Sequence, residues 1–129
     1  MTDANLKRWY DYTKTHDHKA LWEMLSPDAV FESPVVHTPQ VGREIVFKYL
    51  VGADKVLGGA GFKYTGEWKS ENGAVLEFVN EVQGIKINGV DIITWNGDGK
   101  IAHFKVMIRP LKAVNLLHQL MGAELAKAG

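Results

Sequence analysis

The sequence predicts an α+β fold, with one curved, mostly antiparallel sheet wrapped around N-terminal helices and one more helix at the C-terminus. Three observations carry this expectation. Apolar residues in the first half recur mostly with the 3.6-residue period of a helix, and from residue 62 the period changes to 2. Tight-turn signals, Gln83-Gly84 and Asn96-Gly97-Asp98-Gly99, join the later strands as hairpins. Helices and hairpin-linked strands are therefore segregated rather than alternating. A single sheet with helices on one face curls around them and leaves a pocket at its open end.

Residues 3–15 form the first helix, with Leu6, Trp9, Tyr10 and Thr13 on one face. Asp17 caps a second, short helix whose inward residues are Leu21, Met24 and Leu25. Ser26-Pro27-Asp28 stops it, and strand 29–33 follows. Two prolines, Pro34 and Pro39, stiffen the next loop. A third helix runs from about Arg43 to Lys55, with Ile45, Val46, Tyr49, Leu50 and Ala53 as its apolar face, and Gly58-Gly59-Ala60-Gly61 ends it. Strands are expected at 62–69, 74–82, 85–95 and 100–108, with a bulge or turn at Asn88-Gly89. Pro110 opens a closing helix over 111–127 with a stripe of Leu111, Val114, Leu117, Leu120 and Met121.

The 129 residues suit a single domain, 1–129. Fifteen Lys and Arg balance fifteen Asp and Glu. A neutral chain has no general field for nucleic acid or anionic lipid, so neither is an expected partner. Cysteine is absent, which excludes disulfide scaffolds, thiolate metal sites and cysteine nucleophiles and fits a cytoplasmic location. No apolar run approaches the roughly 20 residues of a membrane span. The first residues are charged and amphipathic, without the apolar centre of a signal peptide.

The order of elements, with Phe31-x-Ser33-Pro34, Gly42-Arg43-Glu44, Gly89-Val90-Asp91-Ile92-Ile93-x-Trp95 and Asp98-Gly99-Lys100-Ile101, resembles the nuclear transport factor 2-like superfamily. Within it, the chain is similar to the SnoaL-like and ketosteroid-isomerase-like branch, up to about Arg109. The resemblance implies a cone-shaped sheet (a cystatin-like roll), a pocket in its open end and a homodimer. It does not fix the chemistry, because the superfamily mixes isomerases, cyclases, dehydratases, epoxide hydrolases and binders. The steroid isomerase pattern has a carboxylate base in an Asp-Pro step after the first strand, and here that step is Ser33-Pro34. Its first-helix tyrosine corresponds to Trp9. Its late-strand aspartate, an oxyanion donor kept protonated by an apolar site, corresponds to Asp91. The epoxide-hydrolase pattern wants an arginine two residues before Asp91, where Gly89 stands.

Asp91 is the leading candidate for catalysis, because a carboxyl in an apolar strand needs a partner or a raised pKa. Two readings stand: a structural bond to a neighbour such as the Trp9 indole N–H, or a role facing the pocket. Trp9 is either core or pocket wall. His37 is either an exposed loop residue or a neutral-pH group that replaces the missing base. Strand alternation adds Leu76, Phe78, Asn80, Ile93, Phe104, Val106 and Ile108 to the pocket lining, with Ser33 from the loop and Tyr49 and Leu50 from the third helix. Glu32 and His103 point outward, and His16 and His18 read as solvated. No metal-ligand spacing or phosphate loop is present, so no metal or cofactor is expected. The expected ligand is a small apolar molecule carrying a carbonyl or hydroxyl. The expected function is ligand binding with isomerase-, cyclase- or dehydratase-type proton transfer or oxyanion stabilisation at Asp91, or, as the alternative, a non-catalytic dimeric binding module.

Overall fold

The computed structural model describes residues 2–127. The elements run α1 (Thr2–Thr15), α2 (His18–Met24), β1 (Leu25–Glu32), β2 (Gln40–Val41), α3 (Arg43–Leu57), β3 (Lys63–Lys69), β4 (Gly73–Val82), β5 (Ile85–Trp95), β6 (Ile101–Arg109) and α4 (Leu111–Lys127). The six strands form one sheet in the order β2-β1-β6-β5-β4-β3. Only β1 and β6 pair in parallel, and the other neighbours are antiparallel. The sheet curves around the helices, with the apolar core on its concave face.

Local chemistry explains most boundaries. The Asp17 carboxylate accepts the backbone N–H of Lys19 at 3.1 Å and of Ala20 at 3.4 Å, capping α2. Gln83 and Gly84 both have positive φ, 51° and 79°, which matches the right-handed twist of the β4–β5 hairpin.

Four expectations need correction. The α2 helix does stop ahead of Ser26-Pro27-Asp28, but that segment lies inside β1, which begins at Leu25 rather than at residue 29. Its register with β6 shifts between Leu25 and Val30, so Pro27 falls where the ladder is interrupted and its missing N–H breaks no pairing. The two-residue strand β2 is too short to leave a pattern in sequence. Asn88-Gly89 is neither bulge nor turn, since the β4–β5 register is unbroken from Gly73↔Thr94 to Val82↔Ile85. Gly89 is there for space: a Cβ at that position would come within 2.6 Å of Phe78 Cζ and of the Met107 carbonyl. The buried face of α4 is Ala113, Leu116, Leu117 and Met121, while Leu111 is 73% exposed. The helix is thus rotated from its expected stripe. Ala113 and Gly52 explain this, because small residues let the helix come close. A Cβ at Gly52 would already stand 3.2 Å from Met121 Cε.

The face of α1 also turns. Trp9 and Tyr12 are buried, and Tyr10 and Thr13 are only half-buried. On the convex face of the sheet Glu32 pairs with His103 at 2.7 Å and with Lys105 at 3.5 Å.

Gly89→Ala is expected to destabilise the fold by about 1–3 kcal/mol, because the new methyl would meet the Met107 carbonyl of the paired strand β6 and the buried Phe78 ring. Urea denaturation followed by tryptophan fluorescence measures this, and an unchanged midpoint would mean the strands shift freely.

Candidate functional site

A cavity of about 230 Å³ lies between the concave sheet face and helices α1, α3 and α4. It is somewhat below the roughly 300–1,000 Å³ of common ligand pockets, which restricts it to a small molecule. Its walls are aromatic. Trp9 stands 5.0 Å from Phe104 between ring centroids, Phe31 is 5.3 Å from Tyr49, and Phe62 stacks on Phe78 at 5.1 Å. The α4 residues Leu117, His118, Met121, Gly122 and Leu125 cover it.

Asp91 is 7% exposed and faces this cavity from the middle of β5, between Leu76 of β4 and Val106 of β6. A relay of two hydrogen bonds holds it. The Trp9 indole N–H donates to the Tyr64 hydroxyl at 3.0 Å, and that hydroxyl donates to Asp91 Oδ2 at 2.6 Å. Oδ1 accepts no hydrogen bond among the described residues. Burial disfavours the charge and pushes the Asp91 pKa up to about 7, and the Tyr64 bond counteracts part of this. The Tyr64 phenol is raised well above its ordinary value by burial first and then by the neighbouring carboxylate, so it stays a donor.

The structure brings Trp9, Ser33, Tyr49, Leu50, Phe78, Asp91, Phe104 and Val106 to the cavity wall. It does not bring Leu76, Asn80, Ile93, Ile108 or His37 there. Leu76 and Ile93 share the concave face but are enclosed in solid core below the hollow. Asn80 is turned to the loop after α3, where its Nδ2 donates to the Leu57 carbonyl at 2.6 Å. Ile108 packs on the core from near the end of β6, against Gly89. His37 is exposed on the loop between β1 and β2 and does not line the hollow, although its neighbour Val36 does. Ser33 Oγ accepts the Val35 N–H at 3.1 Å, which makes it a turn-former that still has its own proton to donate.

Four polar residues of the cavity wall escaped the sequence reading, His118 of α4 among them. Tyr64 shares a strand face with Phe62, and that alternation was the available signal. Asp54 lies one turn beyond Leu50 on the same face of α3, lines the cavity, and is held by His16 at 2.7 Å and His18 at 3.6 Å. Both histidines were expected to be free in solvent, and only the fold brings them to Asp54. Tyr12 Oη is buried with no hydrogen-bond partner among the described residues, and burial followed by the Asp54 charge raises its pKa. Among the described residues no three His, Asp or Glu side chains are grouped to hold a metal ion, and no helix is long and apolar enough to cross a membrane.

The profile of the SnoaL-like domain matches residues 6–104, well over half the chain. The chain belongs to the SnoaL-like domain family. This SnoaL-like chain is 34% identical to a protein from Pseudomonas aeruginosa described as a steroid delta-isomerase. The match covers 98% of this chain and 92% of that one, with a TM-score of 0.91. An uncharacterised bacterial protein with a cystatin-like fold from Silicibacter pomeroyi is 28% identical, over 92% of this chain and 83% of that one, with a TM-score of 0.84. A nuclear transport factor 2-like protein of unknown function from Mesorhizobium loti shares the fold at 18% identity and a TM-score of 0.71, over 84% of this chain and 90% of that one. No curated protein matches the sequence. Fold class and superfamily thus agree with the sequence reading.

The raised Asp91 pKa has a consequence for stability. Between pH about 4 and 7 the folded state keeps a proton that the unfolded state has released, so stability falls as pH rises through this window. The loss is complete above pH about 7 and is on the order of 4 kcal/mol. Asp91→Asn removes the titration. Urea titrations across pH are expected to find the variant equal to wild type near pH 4 and more stable above pH 7, and equal stability at both ends would mean the carboxyl is solvated.

Proposed function

We propose that this protein binds a small, mostly apolar molecule carrying a carbonyl or hydroxyl group, and that Asp91 moves a proton on it. One observation carries the reading: in an aromatic hollow, Asp91 has one oxygen tied to Tyr64, the other without a partner, and a pKa near 7. A general acid or base works best when its pKa lies near the working pH. As the carboxylate, Asp91 takes a proton from carbon next to a carbonyl: the C–H bond breaks, O–H forms on Asp91, and the electron pair moves onto the carbonyl oxygen. As the acid it returns the proton to the same or another carbon, which is the core of an isomerase-, cyclase- or dehydratase-type step. The Ser33 hydroxyl lines the same hollow and is a donor for the ligand oxygen, while Tyr64 positions Asp91.

The likeness to the steroid delta-isomerase at 34% identity supports isomerase-type chemistry. With Ser33 where the isomerase pattern has its loop base, the proton falls to Asp91, because Asp54, the other carboxyl on the cavity wall, is paired with His16 and His18. The absence of that base, and Trp9 in place of the tyrosine, also favour a second reading: a binding module with a residual pocket. Either reading takes the protein as a homodimer, supported by the outer sheet face, where Val90 and Ile92 are only half-buried and Met107 is 51% exposed. Its cysteine-free composition supports a cytoplasmic location.

Proton transfer is read by NMR as exchange of deuterium into the carbon next to the carbonyl of a small aryl ketone in heavy water. Wild type is expected to catalyse it with a rate that rises through pH about 7, and Asp91→Asn to lose about 100-fold or more. Ketone binding without exchange would leave the binding module, and exchange indifferent to Asp91→Asn would overturn the assignment of the proton to Asp91. Tyr64→Phe removes a bond that favours the ionised carboxyl, so the midpoint of the pH–rate profile is expected to move up. A midpoint that stays in place would show that Tyr64 does not position the reacting group.

A further inference from the structure

The cavity of Asp91 is not closed on every side. Most of its wall residues are buried or half-buried, and three are exposed: Val36 of the loop after β1, and His118 and Gly122 of α4. A wall residue that also meets solvent marks where the hollow opens. Two of these marks therefore stand one turn apart on a single helix. Leu125 follows on the same stripe of α4, is half-buried, and lines the cavity as well. A side chain at residue 122 would project between those of His118 and Leu125, at the mouth.

Gly122 has no such side chain. It lies in the interior of α4, where glycine weakens a helix relative to alanine. Backbone conformation does not require it, since its φ is not positive. Close packing does not require it either. Apart from its chain neighbours and the helix's own backbone, no heavy atom among the described residues lies within 4 Å of the place a Cβ would take. Gly52 is the contrast, with Met121 Cε at 3.2 Å. We propose that Gly122 is a specificity-determining residue: its missing side chain leaves a gap through which the apolar tail of a ligand held at Asp91 passes out of the cavity. The proposal rests on the reading of the cavity as a ligand site and names the shape of molecule it takes. Size supports it. A dry cavity of roughly 150 Å³ takes benzene, so the 230 Å³ here hold an aromatic ring with its carbonyl and little more. A longer molecule leaves by the mouth. Val36 and Leu125 make the rim apolar, which suits an alkyl tail.

Quenching of tryptophan fluorescence in the full chain tests this, with Trp9 on the cavity wall as reporter. The probes are acetophenone and hexanophenone, which adds an apolar tail to the same aryl ketone. Wild type is expected to bind hexanophenone about tenfold tighter, the gain from burying roughly two methylenes at the rim. Gly122→Leu is expected to keep its affinity for acetophenone, which serves as the folding control, and to bind hexanophenone about tenfold weaker than wild type does. Wild type that binds hexanophenone no tighter than acetophenone overturns the passage of a tail and leaves the cavity as a ligand site. Equal affinity of wild type and variant for hexanophenone overturns the assignment to Gly122. A variant that is folded by urea denaturation yet loses both ketones alike also overturns it, because residue 122 then stands over the hollow rather than at its mouth. Failure of both ketones to bind wild type overturns this inference together with the functional reading beneath it.

Discussion

The desolvated carboxyl of Asp91 is the constraint around which the rest is arranged. Water would stabilise its charge, and the aromatic hollow withholds that water. The resulting cost, on the order of 4 kcal/mol at neutral pH, is large beside the roughly 5–15 kcal/mol that a domain of this kind has in total. One hydrogen bond from Tyr64 recovers part of it, and Trp9 orients Tyr64 in turn. A carboxyl needed only for stability would be better replaced by an apolar residue of similar volume. The protein therefore maintains a group that titrates near pH 7 where folding alone would not place one.

The scaffold makes that position possible through close approach. Gly89 has no Cβ, so the Phe78 ring and Ile108 close over β5 two residues from Asp91. Gly52 lets Met121 sit against α3, which brings α4 across the cavity as its cover. The α4 helix lies entirely beyond the segment that matches the family profile, yet it supplies five residues of the wall. The cavity is thus bounded on one side by a part of the chain outside the segment that matches the family profile.

The loop after β1 shows how one fold supports different chemistry. Ser33 keeps a position on the cavity wall, but its hydroxyl caps a turn and cannot act as a base at neutral pH. The buried carboxyl of the cavity stands instead on a different wall, at Asp91 of β5.

By itself the sequence determined the fold class, the order of helices and strands, the Asp17 cap, the Gln83-Gly84 hairpin and the apolar setting of Asp91, because periodicity, capping and turn chemistry act between residues close in the chain. The same locality misread Gly89, where glycine usually marks a turn and here meets Phe78 and Ile108 from neighbouring strands. Alternation assigned faces but not depth, so Leu76 and Ile93 were placed in the cavity when they lie in solid core. Only the tertiary structure decided which polar groups meet: Trp9, Tyr64 and Asp91 are 55 and 27 residues apart along the relay, and His16 lies 38 residues from Asp54. Contacts at that separation depend on sheet curvature and helix rotation, which are set by the packing of the whole core and leave no signature in any single stretch of the chain.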